Sequence, residues 1–315
     1  MSLEVDIHYI QIGDCSSSAI ALGLSQDKRL MPKLINPTGN IEYHALPIID
    51  CHGLPYQQRL LSILEQVYPK LGEDWLSAPV CILMPHYGDI EPSSHHALFA
   101  SYCDFLPSLV KHPNCYLFPY GRSALLLAWR KIETLLNNDQ FPDVWVLAID
   151  SDPRLSTFLG EESQRLAEPS AGGVASDSVI LARFRKNESG LKRHWFSYEV
   201  QTNSASGGSA VEALFRRYQQ VCKQPVFQFY APFNGTACLA DEWVTAYHRL
   251  APWVGTQTQV VMSGVLSGEL GACTGLYNLL HLYARYQSGE FLYSTLQLEI
   301  SEQLFRGAAM YTWHN

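Results

Sequence analysis

The stretch Phe118-Pro119-Tyr120-Gly121-Arg122-Ser123-Ala124-Leu125-Leu126-Leu127-Ala128-Trp129-Arg130 is the most informative part of the sequence. A short apolar run ends at Pro119 and Gly121, and a segment that is apolar on nearly every face follows it. Such a segment is typical of a helix buried on all sides. A strand, a tight turn and a buried helix place the turn residue in a cleft, where the first N–H groups of the helix point at a bound anion. An enzyme would carry its nucleophile at this turn, and here the position holds Gly121.

Composition limits the classes of function. The 315 residues are 47% hydrophobic and 17% charged, which is typical of a globular protein with a large core. The net charge of −8 argues against a nucleic-acid partner. There is no signal-peptide pattern and no apolar run of about 18 residues, so we expect no membrane association. The 8 cysteines form no CxxC pair, which predicts reduced thiols and a cytoplasmic protein.

Hydrophobic patterns predict the same plan twice along the chain. We expect an N-terminal half at residues 1–160 and a C-terminal half at residues 170–315, joined by a polar connector. Residues 25–50 read as irregular. Strands are predicted at 5–12, 80–84, 116–118, 144–149, 179–185, 194–200, 226–230, 259–262, 292–298 and 308–313, and helices at 57–68, 92–106, 124–137, 209–218, 241–250 and 275–286.

Each half therefore contains one helix that is apolar on almost every side, at residues 124–137 and 275–286. Two such helices are most easily buried between two sheets, because each sheet offers one apolar face. The sequence predicts a layered α/β sandwich with internal pseudo-symmetry.

Four segments, in the correct order, resemble motifs of the β-ketoacyl synthases, a branch of the thiolase-like superfamily. They are the nucleophile turn (121–128), the turn and strand opening the second half (171–181), the His-Gly-Thr motif (234–241) and the Gly-His motif (268–275). The resemblance implies a thiolase-like five-layer αβαβα sandwich of two pseudo-symmetric halves.

The resemblance also implies that the catalytic groups have been lost. The cysteine nucleophile of the family falls on Gly121, and its two histidines fall on Asn234 and Glu269. Decarboxylative condensation needs a thiolate to carry the acyl chain and donors for the enolate oxygen. Glycine has no side chain, and an ionised Glu269 would repel an enolate. Ketosynthase activity by this chain alone is therefore not expected.

By analogy with chain-length factors, the resemblance implies an accessory protein of fatty-acid or polyketide-type chain elongation. The implied partners are an acyl carrier protein or acyl-CoA, and either an active ketosynthase or a second copy of this chain. The family dimerises beside the nucleophile turn, so residues 114–119 are the expected contact. No cofactor or metal is implied.

Two other classes of function stay open. An acyl-thioester transferase or hydrolase would use Ser123, Cys115 or Cys238 in a reworked site. A nucleophile elbow wants glycine two residues after the serine, where this chain has Leu125, and Ser123 is expected to bond the first-turn N–H groups instead. A ligand-binding or scaffolding module is the third possibility.

Two further patterns favour plain structural interpretations. The acidic and histidine-rich group at residues 86–96 has ligand types suited to a metal, but its spacing fits no known site. It comprises His86, Asp89, Glu91, His95 and His96. The Gly/Ser-rich residues 204–209 lack the Lys-Ser/Thr ending of a phosphate loop and read as a loop before a helix.

Overall fold

The computed structural model describes residues 1–36, 42–48, 54–72, 74–86, 92–105, 114–138, 140–156, 173–201, 209–222, 224–302 and 304–314. Within these ranges the strands are β1 (Ser2–Ile12), β2 (Lys33–Ile35), β3 (Tyr43–Leu46), β4 (Val80–Leu83), β5 (Cys115–Phe118), β6 (Asp143–Ser151), β7 (Ala175–Asn187), β8 (Gly190–Val200), β9 (Gln228–Tyr230), β10 (Gln259–Val261), β11 (Thr295–Ile300) and β12 (Phe305–His314). The helices are α1 (Ser18–Ala21), α2 (Tyr56–Leu71), α3 (Pro92–Phe105), α4 (Ala124–Leu136), α5 (Ser209–Val221), α6 (Ala237–Tyr247), α7 (Gly264–Ser267) and α8 (Thr274–Gln287).

The strands fall into two sets with the same order and direction. The first set runs β5-β4-β6-β7-β1, and the second runs β10-β9-β11-β12-β8. In both sets the first three strands are parallel, and the last two add antiparallel. A short pairing of β1 with β8 joins the sets, and β2 and β3 attach beside β7. This repeated order is the pseudo-symmetry that the hydrophobic patterns predict.

Five layers follow from how the helices pack. Helices α4 and α8 form the central layer, because α4 contacts strands of both sets and α8 contacts β1, β8 and β11. The outer layers are α2 with α3 on the first set and α5 with α6 on the second. Strand β6 shows the alternation that this requires: Val146 faces the central helices, and its neighbour Trp145 faces the outer ones.

The two central helices are not equally apolar. Helix α8 buries residues on every face, including Asn278 and His281. Helix α4 is buried along most of its surface, with Trp129 fully enclosed, but Arg130 is exposed to solvent. The expectation of a helix buried all round is therefore met by α8, whereas α4 keeps a polar stripe.

Most predicted elements are present within a few residues of their expected ends. The prediction of irregular structure at 25–50 is wrong, because β2 and β3 lie there and extend the edge of the sheet beside β7. The predicted helix at 241–250 begins earlier, at Ala237, directly after Thr236 in an extended N-cap conformation. The division into domains at 1–160 and 170–315 stays a prediction.

Candidate functional site

Each central helix is preceded by a short 3₁₀ turn that begins with glycine. The turns are Gly121–Ser123 before α4 and Gly271–Cys273 before α8. Gly121 has φ +54° and Gly271 has φ +49°, in the left-handed region where side chains are rarely accepted. The tight turn predicted between the strand and the buried helix is therefore present, in a backbone conformation that favours glycine.

The structure brings together the three positions that the resemblance marks. The side-chain amide of Asn234 donates to Glu269 Oε2 at 2.7 Å. Glu269 in turn accepts hydrogen bonds from Arg122, the residue next to Gly121, with 3.0 Å between Nε and Oε1 and 2.8 Å between Nη2 and Oε2. Arg122 comes from the first half, and Asn234 and Glu269 come from the second, so the site lies between the halves.

Glu269 is the most firmly held group of the site. Burial alone would raise the pKa of its carboxyl, but the charge of Arg122 and hydrogen bonds from Arg122, Asn234 and the Gly271 N–H lower that pKa to about 2. The Gly271 N–H donates to Glu269 Oε1 at 2.8 Å. The pKa of Arg122 is raised mainly by Glu269 and next by Glu302, against the effect of burial. Both side chains are therefore ionised at neutral pH.

The ion pair nearly fills the cleft. The space left beside it is about 10 Å³, roughly the volume that one water molecule requires. Its walls are Arg122, Pro232, Phe233, Asn234, Leu239, Ser263, Gly264, Ser267, Gly268, Glu269, Leu270 and Thr274. The surrounding loops are tightly packed, because a Cβ at Gly264 would lie 1.7 Å from the Phe233 carbonyl oxygen. Among the described residues, the space beside the ion pair is too small to hold a thioester.

N–H groups in the first turn of α4 and in the 3₁₀ turn before it bond to carboxyl groups of this chain. The Leu126 N–H donates to Glu299 Oε2 at 3.1 Å, and the Arg122 N–H donates to Glu302 Oε2 at 3.3 Å. Burial raises the pKa of Glu299 to about 8, although the bond from Leu126 works against that increase. The helix N-terminus, where an anion could bind, is therefore occupied by side chains of this chain, Glu299 and Glu302.

The second turn has the same kind of internal partner. Asp150 Oδ2 accepts from the Ala272 N–H at 2.6 Å, and Oδ1 accepts from the Tyr56 hydroxyl at 2.8 Å. Burial raises the pKa of Asp150 to about 8, and the charge of Glu302 raises it further against these hydrogen bonds. Sequence reasoning did not identify Arg122, Glu299, Glu302 or Asp150 as site residues. The available signal was the placing of charged residues within or beside apolar segments.

The candidate nucleophiles do not converge on this site. The expectation that Ser123 bonds the first-turn N–H groups is wrong, because its hydroxyl donates to the Phe305 carbonyl at 3.1 Å. Burial, with a smaller effect of Cys103, raises the pKa of Cys115 to about 11. Cys238 is exposed in the first turn of α6. Among the described residues that line the cavity, none of these three is present.

In the described ranges, no group of three metal-ligating side chains lies close enough together to hold an ion. Asp89, Glu91 and the side chains of His95 and His96 lie outside the described residues, as do residues 204–208. No helix in the described ranges is long and apolar enough to cross a bilayer.

Comparison of whole folds shows what this chain is similar to. It matches a structure titled the ishigamide ketosynthase/chain length factor with a TM-score of 0.60, 13% identity and 99% of both chains covered. It matches the ketosynthase from module 6 of the bacillaene synthase of Bacillus subtilis 168 with a TM-score of 0.64, 8% identity, and 100% of this chain and 72% of that chain covered. An OleA variant of Xanthomonas campestris gives 0.56, 12% identity and 98% of both chains. No protein-family model and no curated protein matches the sequence.

The fold is therefore thiolase-like, in the arrangement found in ketosynthases, and the resemblance read from the four motifs is confirmed at the level of the fold. Identities of 8% to 13% leave activity and partners to be argued from this chain's own residues.

Proposed function

We propose that this protein is a non-catalytic ketosynthase homologue that acts as an accessory, chain-length-factor-like partner in fatty-acid or polyketide-type chain elongation. The observation that carries the proposal is the Arg122–Glu269 ion pair, which fills the cleft where the fold family works on its thioester. The neighbour titled ketosynthase/chain length factor matches over the whole chain, which supports the same class.

The chemistry of the site argues against condensation by this chain alone. Gly121 offers no nucleophile, and Glu269 with its pKa near 2 is an anion where a developing enolate would need a hydrogen-bond donor. Arg122 cannot serve as that donor without giving up Glu269. Leaving a buried carboxylate unpaired typically costs about 3–5 kcal/mol.

The partner is proposed to bind at β5. In the described part of the chain this strand pairs with β4 alone, so its other edge is open. All four of its residues are only half-buried, although they are apolar. An open apolar edge favours pairing with a strand of another chain. We propose an intact ketosynthase as the partner, with a second copy of this chain as the alternative, and an acyl carrier protein as the carrier of the growing chain.

The test is reconstitution. The protein is co-expressed with a ketosynthase and an acyl carrier protein from the same organism, and complex formation and chain elongation are measured with and without it. Tyr116→Lys on β5 should abolish the complex, while Val260→Lys on β10, the corresponding edge of the second set, should leave it intact. Turnover of acyl thioesters by the isolated protein, or a stable acyl adduct on any of its side chains, would contradict the proposal.

The alternative, an acyl-thioester transferase or hydrolase, is favoured by one observation. Cys238 is exposed, and its helix begins at Ala237, three residues after Asn234 of the site. Incubation of the isolated protein with acyl-CoA and peptide mapping of any adduct decides between the two proposals. A cytoplasmic location stays a prediction from the cysteine pattern.

A further inference from the structure

Glu302 lies where a side chain at position 121 would lie. A Cβ built on Gly121 would be 2.0 Å from Glu302 Oε2 and 2.7 Å from the carboxyl carbon. Carbon and oxygen atoms that are not bonded do not approach so closely. A side chain at position 121 and the carboxylate of Glu302 in its present place therefore exclude each other.

The contacts of Glu302 explain why a carboxylate is stable there. Oε2 accepts from the Arg122 N–H at 3.3 Å, in the turn that leads into α4, and Oε1 lies 3.7 Å from Arg122 Nη1. Both the start of a helix and a guanidinium stabilise negative charge. A thiolate at position 121 would face the same two features.

We propose that Glu302 is an internal stopper, which takes the place of the lost nucleophile side chain and keeps the Gly121 turn closed. The inference rests on the proposed function only in treating position 121 as the former nucleophile position. It assigns to Glu302 a role distinct from that of Glu269, which closes the cleft by pairing with Arg122.

Glu302 is the weakly held member of this group of carboxyls. Glu269 is fixed by Arg122, Asn234 and the Gly271 N–H, and its side chain is 11% exposed. Among the residues that the structure describes, Glu302 has one long hydrogen bond and one distant ion pair, and its side chain is 33% exposed. Glu302 can therefore leave its place without breaking the Arg122–Glu269 pair.

The experiment places a thiol at position 121 and removes the stopper. Two double variants are compared, Gly121→Cys with Glu302→Ala and Gly121→Cys with Glu188→Ala. Glu188 is an exposed residue of the β7–β8 turn, so the control makes the same change in net charge away from the site. Alkylation of the introduced thiol by iodoacetamide, in which the thiolate sulfur displaces iodide, is followed by peptide mapping, and the exposed Cys238 serves as the internal reference.

We expect the introduced thiol to be alkylated at least tenfold faster in the Glu302→Ala background than in the Glu188→Ala background. The thiol then faces the start of α4 and Arg122, which lower thiol pKa values, without a carboxylate beside it. Equal rates, within twofold, would overturn the proposal. If the double variant with Glu188→Ala does not fold and the double variant with Glu302→Ala does, the proposal is supported, because the side chain at position 121 is then tolerated only when the Glu302 carboxylate is absent. Failure of both to fold overturns it, because removing the stopper should make room for the side chain.

This outcome is independent of the partner experiment. The thiol assay reports only on the geometry around position 121, in the isolated chain. A protein that binds no ketosynthase can still show the tenfold difference, and a protein that binds one can fail to show it.

Discussion

The two glycine turns differ in how they are sealed. The turn Gly271–Cys273 is fully buried, and the carboxyl of Asp150 that closes it is held by three donors: the Ala272 N–H, the Ser151 N–H and the Tyr56 hydroxyl. The turn Gly121–Ser123 is closed by Glu302, which is partly exposed and weakly bonded, and it carries the charged Arg122.

The difference shows that the pseudo-symmetric halves share a backbone plan but not a role. In the second half the turn is part of the core, and its closing group has no route to solvent. In the first half the same backbone faces a cleft, and charged side chains fill what the fold leaves open. Hydrogen-bond donors in such a cleft need acceptors. Here Glu269 accepts from the Arg122 guanidinium, and Glu302 accepts from the Arg122 N–H.

The pH dependence of stability is the largest expected effect, because both helices have a buried carboxyl at their first turn. The pKa values of Glu299 and Asp150 are raised to about 8 in the folded protein. Each carboxyl keeps its proton on folding where the unfolded chain has lost it, so stability falls as pH rises towards 8. From pH 6.5 to 8 we expect each group to remove about 2 kcal/mol.

Urea unfolding at pH 6.5 and 8 measures this fall, and Glu299→Gln and Asp150→Asn should each halve it. Burial lowers the pKa of His281 to about 4. Below pH 6.5 this histidine makes stability rise with pH, against the effect of the two carboxyls, so the measurement is made between pH 6.5 and 8. If the free energy of unfolding falls by the same amount between pH 6.5 and 8 in the wild type and in both variants, the raised pKa values of Glu299 and Asp150 are contradicted.

Removing the Arg122 side chain should destabilise the protein through its partner Glu269. Arg122→Ala leaves the buried Glu269 without its cation, and we expect a loss of about 3 kcal/mol in the free energy of unfolding. Arg130→Ala, at an exposed arginine of the helix that follows this turn, is the control and should change stability by less than about 0.5 kcal/mol. Adding Glu269→Gln to Arg122→Ala should recover part of the loss. Equal stability of the two arginine variants would show that the ion pair contributes nothing.

Much of the fold could be predicted from the sequence, because strongly apolar segments such as residues 144–149 and 275–286 have one stable environment. The motif order predicted one site for Gly121, Asn234 and Glu269, and the structure shows Asn234 in contact with Glu269, and Glu269 in contact with Arg122, the residue after Gly121. The ion pair itself could not be predicted, since nothing in the sequence shows that Arg122 reaches across to residue 269. Strands β2 and β3 were missed because three or four residues of mixed polarity have no readable period, and only pairing beside β7 makes them strands.

The glycines allow a direct test of the difference in sealing. Gly271→Ala puts a Cβ 1.9 Å from the buried Asp150 Oδ2, whereas Gly121→Ala puts a Cβ 2.0 Å from Oε2 of the partly exposed Glu302. Both substitutions place a side chain on a residue with left-handed backbone angles, which costs stability. Gly271→Ala must in addition displace the carboxyl of Asp150, which three donors hold. We expect losses of about 3 kcal/mol for Gly271→Ala and about 1 kcal/mol for Gly121→Ala, measured by urea unfolding. A larger loss of stability for Gly121→Ala than for Gly271→Ala would show that the first turn is the more tightly closed one.

The smallest expected effect concerns the third residue of each turn, where the first has Ser123 and the second has Cys273. Each donates to a strand carbonyl, Ser123 to Phe305 at 3.1 Å and Cys273 to Ser178 at 3.6 Å. Ser123→Ala removes one buried hydrogen bond, so we expect it to cost about 1 kcal/mol in urea unfolding. It should leave partner binding and reconstituted elongation unchanged, because the hydroxyl points at a carbonyl oxygen, which cannot take its proton. Loss of elongation at unchanged stability would instead show that Ser123 takes part in acyl transfer.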